Sequence, residues 1–313
     1  MRPPARASRP MKLHISHRTR YDYASAVRES FNEARLQPAS ESRQTRHDFK
    51  LLITPHALVS NYLDFHGNCV HLFEINPPHL ELTVSAQTTV TTTDAPALAA
   101  HASSAPLTEL EKSVMVDRCY EFLPASTFVD ITAESESLAL VAAGLETDIW
   151  QAAQSIMRYI HREFHYQPAS TNVHTHMREV LKARHGVCQD FAHVMLGFCR
   201  ALKIPARYVS GYLYNGPADQ LKGAQASHAW VEVYVPGHGW CGLDPTNAQP
   251  VAGQHVKVAT GRDYADVSPL KGTYRGTDRR KMTVEVLVTK VEEKFGGQSQ
   301  TQSQGQAPVA LPA

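Results

Sequence analysis

The sequence has no long hydrophobic run. Its longest uninterrupted apolar stretch, near Leu138 to Leu145, falls far short of the ~20 residues that a membrane-spanning helix needs. It also lacks an excess of either charge: 31 Lys and Arg face 30 Asp and Glu, for a net charge of +1. That balance leaves no electrostatic footprint for nucleic acid or for an anionic membrane, so neither is an expected partner. Cysteine is sparse. Cys69, Cys119, Cys188, Cys199 and Cys241 are too few in 313 residues to form a disulfide framework, and no C-x-x-C is present. The opening MRPPARASRP carries Arg2, Arg6 and Arg9 with no apolar segment behind them. It reads as a short disordered extension rather than a secretory signal, with Met11 as an alternative start and the cytosol as the expected compartment. There is no internal repeat, no H-E-x-x-H and no acidic loop of the EF-hand type.

What remains is ordinary for a globular chain, with 42% hydrophobic and 19% charged residues over a length comfortable for two domains. From Met11 to about Thr93 the pattern is strand-like: His14 to Tyr21, Phe49 to Thr54, Val70 to Ile75 and Leu80 to Thr93, punctuated by turn residues. A run of strands without helices predicts a small β-sandwich. The Ala- and Ser-rich stretch 94–106 reads as a linker. Helical signals follow, with a T-x-x-E capping box at Thr108 and Glu111, an apolar period of three and four over Asp148 to Phe164, and a segment from Met177 to Arg184 stopped by Gly186. A further helix runs from Cys188 to about Leu202, with Cys188, Ala192, Met195, Cys199 and Leu202 on one stripe. Strands return at Arg207 to Tyr214, Ser227 to Val235, Trp240 to Asp244 and Met282 to Val291. Pro236-Gly237-His238-Gly239 marks a hairpin. The Gly/Gln/Ser-rich tail reads as disordered. The expected division is therefore 1–10 extension, 11–93 β domain, 94–106 linker, 107–293 second domain and 294–313 tail.

Cys188 comes two residues after Gly186 and opens a buried helix, where unsatisfied N–H groups and the helix dipole favour a thiolate and can hold an oxyanion. A buried structural cysteine is the competing reading, and Cys199 fits it. A thiol nucleophile needs an imidazole base, which in turn needs a carboxylate to set its tautomer. In Ser227 to Tyr234 the even positions His228, Trp230, Glu232 and Tyr234 share one face, and the small and branched residues share the other. The hairpin carries Asp244 back beside that strand. Parity is the difficulty: a two-residue turn at Gly237-His238 would set Asp244 opposite Val231, facing away from His228, whereas a bulge or a three-residue loop would restore it.

Arg184-His185-Gly186-Val187-Cys188-Gln189-Asp190-Phe191-Ala192-His193, with Ile204 to Tyr212, resembles the nucleophile region of bacterial transglutaminase-like proteins. Ser227 to Val233, and Trp240 with Asp244-Pro245-Thr246-Asn247, resemble the family's His and Asp blocks in the family's order. Thr19 to Tyr23, Asn32 to Pro38 and Asp64 to Asn68 resemble the small β domain that precedes this core in many members, and Gly261 to Val267 resembles a closing segment. The resemblance spans roughly Met11 to Val291. It implies an α+β, papain-like core, with the Cys helix packed on an antiparallel sheet, preceded by a small all-β sandwich. It also implies Cys188 as nucleophile, His228 as base and Asp244 as orienting acid. Tyr166 is the candidate for a side chain near the oxyanion, with simple packing as the alternative, and Gln189 and Asp190 are candidates for ordering the site or the local structure.

The expected activity is cysteine-dependent acyl transfer at an amide carbonyl through a thioester, on a peptide or protein substrate and without a cofactor. Water as the second nucleophile makes a peptidase or amidase; an amine makes a transglutaminase. By analogy with the family, hydrolysis of a peptide or isopeptide bond is the favoured outcome. Two other classes compete. The 17 histidines include His161 and His165, four apart on a predicted helix, and His174 and His176, which alternate; both are spacings that can bind zinc. A non-catalytic binding or scaffold protein is the other.

Overall fold

The computed structural model describes residues 10–93, 98–99, 102–110, 119–216, 227–277 and 279–291. In chain order the strands are β1 (Met11–Ala34), β2 (Gln44–Arg46), β3 (Lys50–Thr54), β4 (Val59–Leu63), β5 (Cys69–Ile75) and β6 (His79–Thr92). Helices α1 (Ala133–Ala143) and α2 (Ile149–Glu163) follow, then β7 (His165–Tyr166), α3 (Met177–Ala183), β8 (His185–Gly186) and α4 (Cys188–Ala201). The chain continues through β9 (Ala206–Leu213), β10 (Ser227–Val235), β11 (Gly239–Asp244), β12 (Gln249–Pro250) and β13 (His255–Gly261). It closes with α5 (Tyr264–Val267), β14 (Leu270–Arg275) and β15 (Arg280–Lys290).

β1 is longer than its sequence pattern announces, because it serves two strand sets. Its first half alternates inward-facing Leu13, Ile15, His17 and Thr19 with outward residues and pairs with β6 and β15. After an irregularity between Asp22 and Val27, its second half pairs with β5 and β14. All these ladders are antiparallel. The last two strands therefore return to the N-terminal sheet: Thr19 faces Val284 and Tyr21 faces Met282. The sequence division assigned Met282 to Val291 to the second domain. Its alternation identifies a strand but carries no information about which edge that strand joins.

The second sheet runs β12-β11-β10-β9-β13, curled and antiparallel, with helices on its valine face. Ala229, Val231, Val233 and Val235 share a core with Phe191, Met195 and Phe198 of α4, as the two-face reading of β10 predicts. The helix is buried through most of its length and is screened by α1, α2 and α3. Its charged end is buried as well. The Arg200 guanidinium donates to the carbonyls of Ala206, Pro124 and Arg262 and to Ser126 Oγ, so it ties the helix end to three other segments.

The N-terminal sheet is docked rather than tethered. Leu13, Ile15, Val90 and Val288 belong to the same buried cluster as α4. β13 is an edge strand, and side-chain amides complete its backbone. Gln44 gives and takes a hydrogen bond with Lys257, and Asn68 does the same with Thr260, all at 2.8 Å. The segment read as a linker is also fastened where it is described: Trp150 Nε1 donates to Ala99 O, and Ser103 and Ser104 bond to Asp148, the N-cap of α2. Thr108 lies in a single 3₁₀ turn, Leu107–Glu109, capped by Pro106, and Glu111 falls outside the described residues. No helix among the described residues is long and apolar enough to cross a membrane.

Candidate functional site

The turn into α4 is built by close packing. Arg184 takes a left-handed conformation (φ 57°) at the end of α3, ending that helix two residues before Gly186, so Gly186 is not its cap. Gly186 is glycine for another reason: a Cβ there would lie 2.6 Å from Asp190 Oδ2. That same oxygen accepts the Val187 N–H at 2.7 Å and the Thr171 hydroxyl at 2.6 Å. Val187 is extended, and Cys188 begins the helix with its own N–H outside the intrahelical ladder.

His228 sits near the start of β10, 8% exposed, and Asp244 ends β11, fully buried. Val235 pairs with Gly239, so the hairpin loop is the three residues Pro236, Gly237 and His238, and Val231 pairs with Leu243. Continued by one step, that register sets Asp244 opposite Trp230, on the face that carries His228. The loop length removes the parity obstacle that the sequence left open. Gly237 and Gly239 adopt φ of 78° and 76°, which a side chain would resist. The result is a hydrogen bond of 2.8 Å from His228 Nε2 to Asp244 Oδ2. Cys188 lines the same cleft as His228, close enough for a thiolate to favour the charged ring. Burial alone would lower the pKa of His228. Its hydrogen bond to Asp244, and the charges of Asp244 and Cys188, outweigh that and push it up to about 10.

Asp244 is held as a carboxylate from five directions. Oδ1 accepts the backbone N–H groups of Thr246 and Asn247, at 3.0 and 3.2 Å. Oδ2 accepts from His228, from Asn247 Nδ2 at 2.6 Å and from His255 Nε2 at 3.2 Å. Burial favours the neutral acid, yet the hydrogen bonds from the two imidazoles hold the group well below the usual carboxylate range.

This frame can be set against known proteins. A family model described as the transglutaminase-like superfamily matches residues 138–245, and one described as the bacterial transglutaminase-like N-terminal region matches residues 13–91. An uncharacterized protein of Mycobacterium leprae, ML0607, is 34% identical over 284 residues, covering 90% of this chain and 99% of its own length. The chain belongs to the bacterial transglutaminase-like family. A crystal structure from Cytophaga hutchinsonii, proposed to be a cysteine protease, is 25% identical, with a TM-score of 0.73 over 92% of this chain and 93% of that one. A protein-glutamine gamma-glutamyltransferase of Pseudomonas aeruginosa is 33% identical over 159 residues, covering 46% of this chain and 22% of its own length.

Within this transglutaminase-like frame the remaining predicted residues divide. Tyr166, paired through β7 with Gly186 of β8, stands edge-on to Phe191 and close enough to Cys188 and Asp190 for their charges, after burial, to raise its pKa. It is 44% exposed, and no hydrogen bond from the described residues holds its hydroxyl in place. Gln189 donates to Val173 O at 3.2 Å and lines the cleft beside Cys188. Asp190 points back into the turn, as described above. The histidines singled out for zinc do not converge: His161 binds the Thr246 carbonyl, and His176 faces Asp130. The grouping with metal-ligand composition among the described residues is instead His228, Asp244 and His255. There the carboxylate already has the partners it needs. Two participants, His255 and Asn247, escaped the sequence reading. A histidine inside an undetected strand gives no signal, but Asn247 stands within the Asp-Pro-Thr-Asn block, where the turn after Asp244 could have exposed it.

Proposed function

We propose that this chain is a thiol enzyme that transfers an acyl group from an amide through a thioester, with water as the usual acceptor. The observation that carries this reading is the ring of His228, hydrogen-bonded to Asp244 at 2.8 Å and lining the same cleft as Cys188. The Cys188 thiolate attacks the amide carbonyl, and a carbon–sulfur bond forms as the oxygen takes up charge. The free N–H groups at the start of α4 are the donors available to stabilise that charge. The tetrahedral intermediate collapses, the carbon–nitrogen bond breaks, and the His228 imidazolium gives its proton to the leaving amine. Neutral His228 then takes a proton from water as the water adds to the thioester; collapse frees the carboxylic acid and restores the thiolate. Asp244 keeps the ring in one tautomer throughout, without taking the proton itself.

Hydrolysis is favoured over cross-linking because the likeness to the Cytophaga structure runs through nearly the whole chain, whereas the glutamyltransferase likeness covers less than half. A peptide or protein is the substrate in either case. A metal centre at His228, Asp244 and His255 is the second reading, favoured by their mutual distances. Iodoacetamide labelling of each cysteine against pH, read by peptide mass spectrometry, tests the first. Cys188 labels rapidly well below pH 7 and slows in His228→Ala; a slow rate that the substitution leaves unchanged sinks the proposal. Loss of activity on chelation with alkylation-resistant turnover would instead favour the metal.

A further inference from the structure

The cleft at Cys188 has its opposite wall outside the catalytic sheet. His17, Thr19 and Tyr21 alternate along β1 and so present one face. The ladder places Val284 beside Thr19 and Met282 beside Tyr21, so β15 extends that face. All five line a cavity of about 250 Å³ whose floor holds Cys188 and His228. That volume lies below the ~300–1,000 Å³ of pockets that enclose drug-sized ligands, and so suits one residue of an extended chain with the rest outside.

The chemistry of the lining is one-sided. Among the described residues it contains no Asp, Glu, Lys or Arg. His17, a buried polar group of the wall, is engaged on both ring nitrogens, with the Tyr212 hydroxyl at 2.9 Å and the Thr19 hydroxyl at 3.1 Å. Burial holds its pKa down at about 4, so the ring adds no charge at neutral pH. A charged side chain entering this space would lose its water and meet no counter-ion on the β1–β15 wall, while an apolar one would meet Met282, Val284 and Leu270.

We infer that the N-terminal sheet, through β1 and the returning β15, forms the acyl-side specificity pocket, and that the substrate residue carrying the scissile carbonyl is apolar and uncharged. The inference rests on the thiol-enzyme reading and adds the substrate class. It also gives the N-terminal domain a role, since the catalytic sheet alone leaves the pocket without its far wall.

A panel of N-acetyl aminoacyl chloromethyl ketones tests it, because the thiolate displaces chloride whatever the natural leaving group. The side chains are those of Leu, Phe, Lys and Glu, and rates at Cys188 are expressed relative to iodoacetamide, which has no side chain. The Leu and Phe reagents are expected to label about 50-fold faster than the Lys and Glu reagents. The Leu-to-Lys ratio should fall about 10-fold or more in Val284→Asp and in Met282→Glu. Met282 is half exposed, so its substitution keeps the fold within reach even where Val284→Asp does not. Equal rates across the panel, or a ratio that neither variant moves, overturn the inference while leaving the thiol enzyme intact. If iodoacetamide labels Cys188 no faster in the unaltered protein than in His228→Ala, the thiol reading falls and takes the inference with it.

Discussion

His255 Nε2 lies 3.2 Å from Asp244 Oδ2, on the same oxygen that accepts from His228. The other nitrogen of His255 accepts the Ala252 N–H at 3.4 Å, so the proton resides on Nε2 and is donated to the carboxylate. Its ring also meets Trp230 edge-on, at 5.2 Å between centroids. His255 thus holds the group that holds His228, and in the proposed chemistry it is a positioning residue. Replacing His255 by Ala should lower kcat on the order of 10–100-fold with KM little changed, and His255→Gln should recover part of the loss by donating to the same oxygen. Equal behaviour of the two variants, in rate and in pH profile, would show that the bond to Asp244 is not what matters.

The proposed chemistry makes Cys188→Ala inactive and places His228→Ala close to it. Asp244→Asn keeps the shape but presents an amide to a ring that needs a carboxylate, so turnover should drop about 10³–10⁴-fold. Because the imidazolium of His228 is stabilised by Asp244 and Cys188, the alkaline limb of kcat/KM should lie well above 6.5. An alkaline limb at an ordinary histidine value would contradict the observed bonding.

Gly186 and Asp190 test the turn that presents the thiol. Gly186→Ala drives a methyl into the Asp190 carboxylate, and a loss of about 1–3 kcal/mol is expected from overpacking alone. Asp190→Ala leaves the Val187 N–H without its acceptor and should cost about 1–2 kcal/mol. Urea denaturation midpoints measure both, and unchanged midpoints would remove the turn from the account of the site.

Acid should destabilise the fold well before the carboxylates titrate. Burial lowers His17 to about 4 and His193 to about 3, against 6.5 when unfolded. Below pH 6.5 the unfolded chain binds protons that the native state refuses, so stability falls with pH, by roughly 2 kcal/mol for each ring at pH 5. His228 adds no slope there. Its raised pKa gives stability that is fully present below about 6.5 and is lost only as pH rises through about 10. Denaturation at pH 7 and pH 5, repeated on His17→Gln, should show the loss and its partial removal; equal stability at the two pH values would refute the assignment.

Much of this was readable in one dimension because it is local. The period of α2 and the faces of β10 follow from spacing alone, and α4 with Cys188 at its head follows from a stripe and a preceding glycine. His228 and Asp244 were legible as a candidate pair, in residue types and order. What tertiary structure decided is what depends on pairing across distance. Whether Asp244 faces His228 hung on one residue of loop length, since a strand's side chains alternate with a period of two and any slip by one reverses them. That β15 returns to β1 rather than to the nearer sheet is a choice among edges that all offer the same unpaired backbone, and alternation cannot distinguish them. The convergence of His255 on Asp244 and the uncharged wall opposite Cys188 follow from those pairings, so no local pattern along the chain records them.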